Sequence, residues 1–130
     1  KNMIRSNGCD PSRVNFIVTG LKEVDTAAYK GPWYDTGKIA QALSAKVDLL
    51  LVDGPISYQN DPMIRFPALP ELRQLMNEQF CVLLDDTSRK GEEKILALWA
   101  EKFGLHLRDF TLTANCAFLS KDTKTLYNIV

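Results

Sequence analysis

Two apolar runs, each followed at once by carboxylates, are the clearest feature in the pattern of hydrophobic and polar positions. The first run, Leu49–Val52, is the end of a predicted strand at Val47–Val52 and is followed by Asp53. The second run lies in a predicted strand at Phe80–Leu84 and is followed by Asp85 and Asp86. Continuous apolar runs of this length are typical of strands that are buried on both faces of a parallel sheet. The pattern therefore predicts two parallel strands that both end in acidic residues.

A helical pattern at Phe66–Gln79 separates the two runs. The three segments together predict a strand–helix–strand unit with a right-handed crossover, in which both strands point the same way. Asp53, Asp85 and Asp86 are then expected at the carboxyl edge of the sheet, where open α/β sheets bind their ligands. A structural alternative remains open, because an Asp after a strand often caps the next helix or forms a turn.

The rest of the pattern predicts the elements around this unit. They are a helix end at Asn2–Asn7, a strand at Val14–Val18, a loop over residues 25–35, and helices at Gly37–Ala45 and Pro67–Glu78. A further helix is expected, with Thr87-Ser88 as candidate N-cap and Gly104 at its end; its buried stripe is formed by Ile95, Leu96, Trp99 and Phe103. An antiparallel hairpin of Leu107–Leu112 and Cys116–Leu119 follows. This order predicts an α/β domain.

Length and charge restrict the classes of partner. The 130 residues suit one domain, and the 16 basic residues balance the 16 acidic ones, so no electrostatic attraction to nucleic acid or to an anionic membrane is expected. Cys9, Cys81 and Cys116 are odd in number and widely separated. This spacing fits buried thiols in a reducing, cytoplasmic setting better than a disulfide or zinc framework.

Five short motifs, taken in order, resemble the class I S-adenosylmethionine-dependent methyltransferases, and within them a bacterial group. They are Trp33-Tyr34-Asp35, Val52-Asp53-Gly54-Pro55, Arg65-Phe66-Pro67-Ala68-Leu69-Pro70, Leu84-Asp85-Asp86-Thr87-Ser88-Arg89-Lys90-Gly91-Glu92, and Trp99. The resemblance spans about residues 14–120. It implies a Rossmann-like, mostly parallel sheet with helices on both faces and a C-terminal antiparallel hairpin.

The sequence departs from this family at the cofactor site. No Gly-rich turn opens a helix, since Gly20, Gly31 and Gly37 are isolated, and no cofactor-binding residue can be assigned. The resemblance therefore implies that residues 1–130 form a single domain that is the C-terminal part of a methyltransferase domain without its first two strands. Such a chain should bind S-adenosylmethionine weakly or not at all, and should expose apolar sheet edges. Self-association into a homo-oligomer is one way to cover them.

The resemblance assigns the chemistry to the three acidic residues. Asp53, Asp85 and Asp86 correspond to positions that hold a divalent metal in relatives of the catechol O-methyltransferase type, and their oxygens suit Mg²⁺. Without a metal, the same residues contact the substrate or act as a general base.

Four further residues are candidates for substrate binding. The guanidinium of Arg65 or Arg89 could hold an anionic group of the substrate, and Trp33 and Tyr34 could form a wall of the site. The structural alternatives are an ion pair of Arg89 with its acidic neighbours and a core position for the aromatic residues.

Two functions follow from these observations. The first is methyl transfer to a hydroxyl of a small molecule or glycan, with Asp53 near the transferred methyl group. The alternative is a non-catalytic Rossmann-like module that serves assembly or partner binding.

Overall fold

The structure is a computed structural model, and it describes residues 10–57 and 60–124. A 3-10 turn, Pro11–Arg13, comes first. The strands are β1 (Leu21–Asp25), β2 (Lys30–Tyr34), β3 (Val47–Val52), β4 (Met76–Asp85), β5 (His106–Asp109) and β6 (Cys116–Ser120). The helices are α1 (Thr36–Ala42), α2 (Ala68–Leu72), α3 (Lys90–Phe103) and α4 (Thr111–Ala114). The chain is therefore an α/β protein, as predicted.

The main sheet has four strands in the order β3-β4-β6-β5. The predicted parallel pair is confirmed, because β3 pairs with β4 in parallel and places Val52 opposite Leu84. The antiparallel pairing of the predicted hairpin is also confirmed, between β5 and β6. Its first strand, expected to reach Leu112, ends at Asp109, because Thr111–Ala114 forms α4. The pairing is nevertheless not mostly parallel, because β6 lies between β4 and β5 and is antiparallel to both. It follows that β3, β4 and β5 point one way and β6 points the other.

The core covers one face of this sheet. Buried side chains of β4 and β6 form a single cluster with the stripe of α3, in which Ile95 and Trp99 are fully buried. The indole Nε1 of Trp99 donates a hydrogen bond to the carbonyl oxygen of Phe66 at 3.0 Å. Gly104 ends α3 in the left-handed conformation, as predicted, and its N–H bonds to carbonyls of the last turn, which is the usual role of glycine there.

The opposite face is open at β3. Leu49 is 54% exposed and Leu51 is 61% exposed, whereas Val52 of the same strand is buried. In the described part of the chain, the second helical layer that the resemblance implied does not cover these leucines. The predicted strand at Val14–Val18 is wrong, because this segment pairs with no strand of residues 10–57 and 60–124 and leaves Phe16 and Val18 exposed. The residues of this segment have a high β propensity, but a strand also needs a neighbouring strand to pair with, and none of the described strands lies beside it.

The predicted loop over residues 25–35 is also wrong. β1 and β2 pair in an antiparallel hairpin, and its turn is fixed by bonds between Thr26 and Tyr29. A strand was not expected here because glycine and proline, at Gly31 and Pro32, are both unfavourable within strands. Each strand of a two-stranded sheet is an edge strand, however, so a proline is tolerated where its missing N–H faces outward.

The predicted helix at Pro67–Glu78 is shorter than expected. α2 ends at Leu72, a 3-10 turn follows to Leu75, and β4 begins at Met76. Met76 is buried and pairs with Val47 across the sheet. The apolar positions after Leu72 therefore serve the strand, because pairing with β3 overrides the local helical period.

Three smaller predictions have different outcomes. The helix at Gly37–Ala45 is confirmed as α1 within a few residues. Thr87-Ser88 does not cap α3, whose N-cap position is Arg89 without a side-chain bond. The predicted helix end at Asn2–Asn7 lies outside the described residues. Among those that are described, no helix is both long enough and apolar enough to cross a membrane.

Candidate functional site

The acidic residues after β3 and β4 lie at one end of the sheet, as predicted. Val52 pairs with Leu84, and the next residues are Asp53 and Asp85. Asp86 follows in the turn that leads to α3. We call these three residues and Glu92 of α3 the acidic edge.

Arg65 is the hub of the acidic edge, and its side chain is only 3% exposed. Its Nε donates to the carbonyl oxygen of Pro55 at 3.0 Å. Its Nη1 donates to the carbonyl oxygen of Asp85 at 3.3 Å and to the carboxylate of Asp86 at 3.2 Å. The planar guanidinium, with donors fixed in a fork, suits this set of partners. Arg65 thus ties the long loop after β3 to the end of β4.

A second arginine extends the network toward solvent. The buried carboxylate of Glu92 lies 3.5 Å from Arg65 Nη1 and accepts a hydrogen bond from Ser57 Oγ at 2.7 Å. Arg89, which is half exposed, pairs with Asp86 at 2.8 Å and donates to Ser57 at 3.0 Å. The ion pair that the sequence left open as the alternative for Arg89 is therefore formed.

The turn at Asp86 depends on a residue far along the chain. Asp86 has a φ of 61°, a left-handed conformation that Asp and Asn tolerate better than most residues. Asn115, before β6, holds this turn. Its carbonyl oxygen accepts from the N–H of Thr87 at 3.1 Å, and its side-chain oxygen accepts from the N–H of Ser88 at 2.9 Å. No local pattern in the sequence indicates this contact.

The loop after β3 is fixed by two further contacts. A Cβ atom at Gly91 would lie 2.1 Å from the carbonyl oxygen of Pro62, so only glycine allows the loop to lie against the start of α3. The hydroxyl of Tyr29 donates to the carboxylate of Asp61 at 2.9 Å. Burial and the Asp61 charge raise the pKa of Tyr29, which keeps this donor protonated. Arg65 is thereby presented on a fixed loop.

A cavity of about 300 Å³ lies beside the acidic edge. Trp33 and Tyr34 line it, with ring centroids 5.0 Å apart and an interplanar angle of 63°. Asp53 and Gly54 line the same cavity. A Cβ atom at Gly54 would lie 3.1 Å from the Tyr34 hydroxyl, so glycine lets that hydroxyl approach the backbone. The other lining residues are Leu50, Leu51, Val52, Ala68 and Leu72.

The carboxylate of Asp53 is accessible to solvent at this cavity. Its side chain is 61% exposed, and its Oδ1 lies 3.7 Å from Nη2 of Arg65. The structure therefore brings three predicted residues, Trp33, Tyr34 and Asp53, to one cavity. Trp33 is also a buried core residue, which is the alternative that the sequence left open for it. Arg65 and Arg89 lie instead within the neighbouring ionic network.

Asp35 of the Trp-Tyr-Asp motif has a structural position. It is the N-cap of α1 and accepts from the N–H groups of Gly37 and Lys38 at 3.1 and 3.4 Å. The hydrogen-bonded Lys22 ammonium, at 2.7 Å, holds the pKa of Asp35 below its usual range. This cap fixes the end of β2, which carries Trp33 and Tyr34 into the cavity.

The acidic edge does not fit a metal ion in this arrangement. The Arg65 guanidinium contacts the carboxylates of both Asp53 and Asp86, and Asp85 Oδ1 accepts from the N–H of Asp86 at 2.9 Å. Mg²⁺ needs free carboxylate oxygens in octahedral geometry. Among the described residues, no group of three or more His, Cys, Asp or Glu could hold a metal.

The described cysteines are not placed as nucleophiles. Cys81 and Cys116 are free thiols, and burial raises the pKa of both. A thiol that is protonated at neutral pH is a poor nucleophile. Cys9 lies outside the described residues.

Two residues of the site, Ser57 and Asn115, were missed by the sequence reasoning. Glu92 was expected only as one of the acidic neighbours that could pair with Arg89, one helical turn away; its burial and its contact with Arg65 were not expected. Ser57 and Asn115 act across the fold and carry no local signal.

Comparisons with protein-family models, with curated proteins and with solved structures find no match to this chain.

Proposed function

We propose that this chain is the acceptor-binding, C-terminal part of an S-adenosylmethionine-dependent methyltransferase that acts on a hydroxyl of a small molecule or glycan. The observation that carries the proposal is the cavity at the carboxyl end of β3. Trp33 and Tyr34 come from one motif of the resemblance and Asp53 from another, and all three line this cavity. Cavities at the carboxyl ends of strands are the usual ligand sites of α/β proteins.

The direction of the strands supports the proposal. β3, β4 and β5 point the same way, and the last strand, β6, is antiparallel to its neighbours. A Rossmann-like sheet with an antiparallel last strand, as the resemblance implies, has this combination. The exposed leucines of β3 and the unpaired Val14–Val18 segment are expected where neighbouring strands are missing.

Asp53 has the position and chemistry of a general base. Its carboxylate is exposed on the cavity wall, and it accepts the proton of the substrate hydroxyl, which makes the hydroxyl oxygen a better nucleophile. The Arg65 guanidinium, at 3.7 Å, orients this carboxylate. Trp33 and Tyr34 hold the body of the substrate against the apolar wall.

S-adenosylmethionine, when bound, supplies the electrophilic methyl group. The sequence has no Gly-rich turn that opens a helix, so the residues of this chain do not fit the cofactor site of the family. We assign the cofactor contacts to a part of the enzyme outside this sequence. The charge balance and the free thiols of Cys81 and Cys116 support a cytoplasmic setting without nucleic-acid partners.

The substitution Asp53→Asn tests the proposal in the complete enzyme of which this chain is proposed to be the C-terminal part. Because Asn keeps the size of Asp and cannot take the proton, we expect transfer of a labelled methyl group to fall at least about tenfold, or about 1.4 kcal/mol of transition-state stabilisation. Asp48→Asn is the matched control, since Asp48 lies on the same strand and its side chain contacts Asn77 outside the cavity. Asp53→Asn activity within about threefold of wild type would contradict the role of Asp53.

A non-catalytic module for assembly or partner binding is the second candidate. It is favoured by the exposed apolar side chains of Phe16, Val18, Leu49 and Leu51, which are typical of interaction surfaces when they lie together. The longer protein discriminates between the two functions. Methyl transfer by the longer protein supports the methyltransferase. Absence of methyl transfer, together with loss of assembly when these four apolar residues are replaced by charged ones, supports the non-catalytic module.

A further inference from the structure

The hydroxyl of Tyr34 is a polar group that the fold does not use. Tyr34 is partly buried, and within residues 10–57 and 60–124 no hydrogen bond involves its hydroxyl. In the same residues, the only side-chain nitrogen or oxygen atom that is both buried and unpaired is Nε1 of Trp33, so the Tyr34 hydroxyl is in contact with solvent. The hydroxyl of Tyr29 differs, because it donates to the carboxylate of Asp61 at 2.9 Å. The Tyr34 hydroxyl is therefore free to bind a group from outside the fold.

This hydroxyl lies on the Asp53 side of the Tyr34 ring. Tyr34 lines two cavities, the one beside Asp53 and a second of about 460 Å³, which it forms with Ile17, Val18, Thr19 and Ile39. Gly54 lines only the first of these two, and the Tyr34 hydroxyl lies 3.1 Å from the position that a Cβ atom of Gly54 would take. Because Gly54 directly follows Asp53, the hydroxyl lies at the same end of the cavity as Asp53.

The two polar groups at this end have different hydrogen-bonding capacities. An ionised carboxylate can only accept, whereas a phenol hydroxyl can donate and accept. A ligand hydroxyl satisfies both groups, since it donates its proton to Asp53 and accepts from Tyr34 on its oxygen. An ether oxygen can only accept, so it finds a donor in Tyr34 and offers nothing to Asp53. The pair therefore selects a free hydroxyl over an alkylated one.

We propose that Tyr34 is a specificity-determining residue of this cavity, whose hydroxyl donates to the oxygen of an acceptor hydroxyl while that hydroxyl donates to Asp53. The inference rests on the proposed function in treating this cavity as the acceptor site. It adds that the cavity distinguishes the acceptor from its methylated form, because methylation removes the proton that Asp53 accepts. The methylated ligand binds more weakly, which favours its release.

Titration of the 130-residue chain with three matched probes tests this recognition. Benzyl alcohol can donate and accept, benzyl methyl ether can only accept, and toluene can do neither. Their apolar ring suits the aliphatic side chains of the cavity. Binding is followed by ¹H–¹³C NMR on the methyl signals of Ala68 and Leu72, which line it. We expect the alcohol to bind about tenfold or more tightly than the ether, because the ether forms no hydrogen bond to the charged Asp53.

Tyr34→Phe removes the hydroxyl and keeps the ring. The affinity for benzyl alcohol and for the ether should fall about threefold to tenfold, as for one neutral hydrogen bond, and the affinity for toluene should stay unchanged. The melting temperature should also stay unchanged, because the described part of the fold gives this hydroxyl no partner. Tyr29→Phe is the matched control. It removes a hydroxyl that bonds to Asp61, so it should lower the melting temperature and leave the three affinities unchanged.

Four outcomes overturn the proposal. They are no binding of benzyl alcohol, equal binding of the ether and the alcohol, unchanged affinity of Tyr34→Phe for the alcohol, and a loss of toluene affinity in Tyr34→Phe as large as the loss for the alcohol. Failure of the proposed function gives a different result, in which the affinities follow the expected pattern and the complete enzyme transfers no methyl group.

Discussion

At the scale of single residues, Arg65 differs from Arg89 in burial although both contact the Asp86 carboxylate. Arg65→Ala would remove the cation from between Asp86 and the buried Glu92. Breaking a buried ion pair on one side costs about 3–5 kcal/mol, and we expect the free energy of unfolding to fall by that amount in a urea titration. Arg65→Lys should also destabilise the chain, since one ammonium cannot reproduce the fork of donors.

Arg89→Ala is the matched control for this prediction. Arg89 is 48% exposed and pairs with Asp86 from the solvent side, and exposed pairs contribute at most about 1 kcal/mol. Equal losses for the two alanine variants would show that Arg65 is not the hub of the acidic edge.

At the scale of elements, the contact between the loop after β3 and the start of α3 depends on Gly91. Gly91→Ala would place a Cβ atom 2.1 Å from the carbonyl oxygen of Pro62. Overpacking of this kind costs about 1–3 kcal/mol, against a gain of up to about 1 kcal/mol from the helix propensity of alanine. We expect a net loss of stability in thermal unfolding, together with a shift of the loop that carries Arg65.

Gly20→Ala is the control at this scale, because a Cβ atom there would meet nothing within 4 Å. Its stability should stay within about 0.5 kcal/mol of wild type. A Gly91→Ala chain as stable as the Gly20→Ala chain would mean that the loop does not lie against α3 as described.

At the scale of the whole molecule, the open face and edge of β3 predict self-association of this chain. An exposed edge strand with apolar side chains is a template for pairing with another chain, and a lysine placed on it opposes that pairing. We therefore expect sedimentation velocity to show concentration-dependent association of the 130-residue chain, and Leu51→Lys to reduce it. Leu51 is 61% exposed, so the substitution should leave the fold intact.

The fully exposed Leu112 of α4 provides the comparison. Leu112→Lys adds the same charge and removes the same apolar side chain away from β3, and it should leave the association unchanged. If both substitutions reduce the association equally, the added charge is responsible and β3 is not the interface.

The sequence alone was sufficient where the signal is local. The apolar runs at Leu49–Val52 and Cys81–Leu84 predicted a parallel pair, and a glycine after an amphipathic stripe predicted the end of α3. Burial and backbone conformation at these positions depend on near neighbours. The same runs placed Asp53 and Asp85 at one edge. The parallel pairing then followed from the length of the crossover.

Only the tertiary structure decided which residues meet across the fold. Arg65 was a candidate for substrate binding, and the structure surrounds it with acceptors from a loop, a strand and a helix. Asn115 holds the Asp86 turn from 29 positions away, and the β1–β2 hairpin forms despite Gly31 and Pro32. The length of α2 was likewise decided by pairing at Met76. Ion pairs, turn contacts and strand pairing of this kind join distant segments, so their free energy depends on the folded chain and leaves no periodic pattern in the sequence.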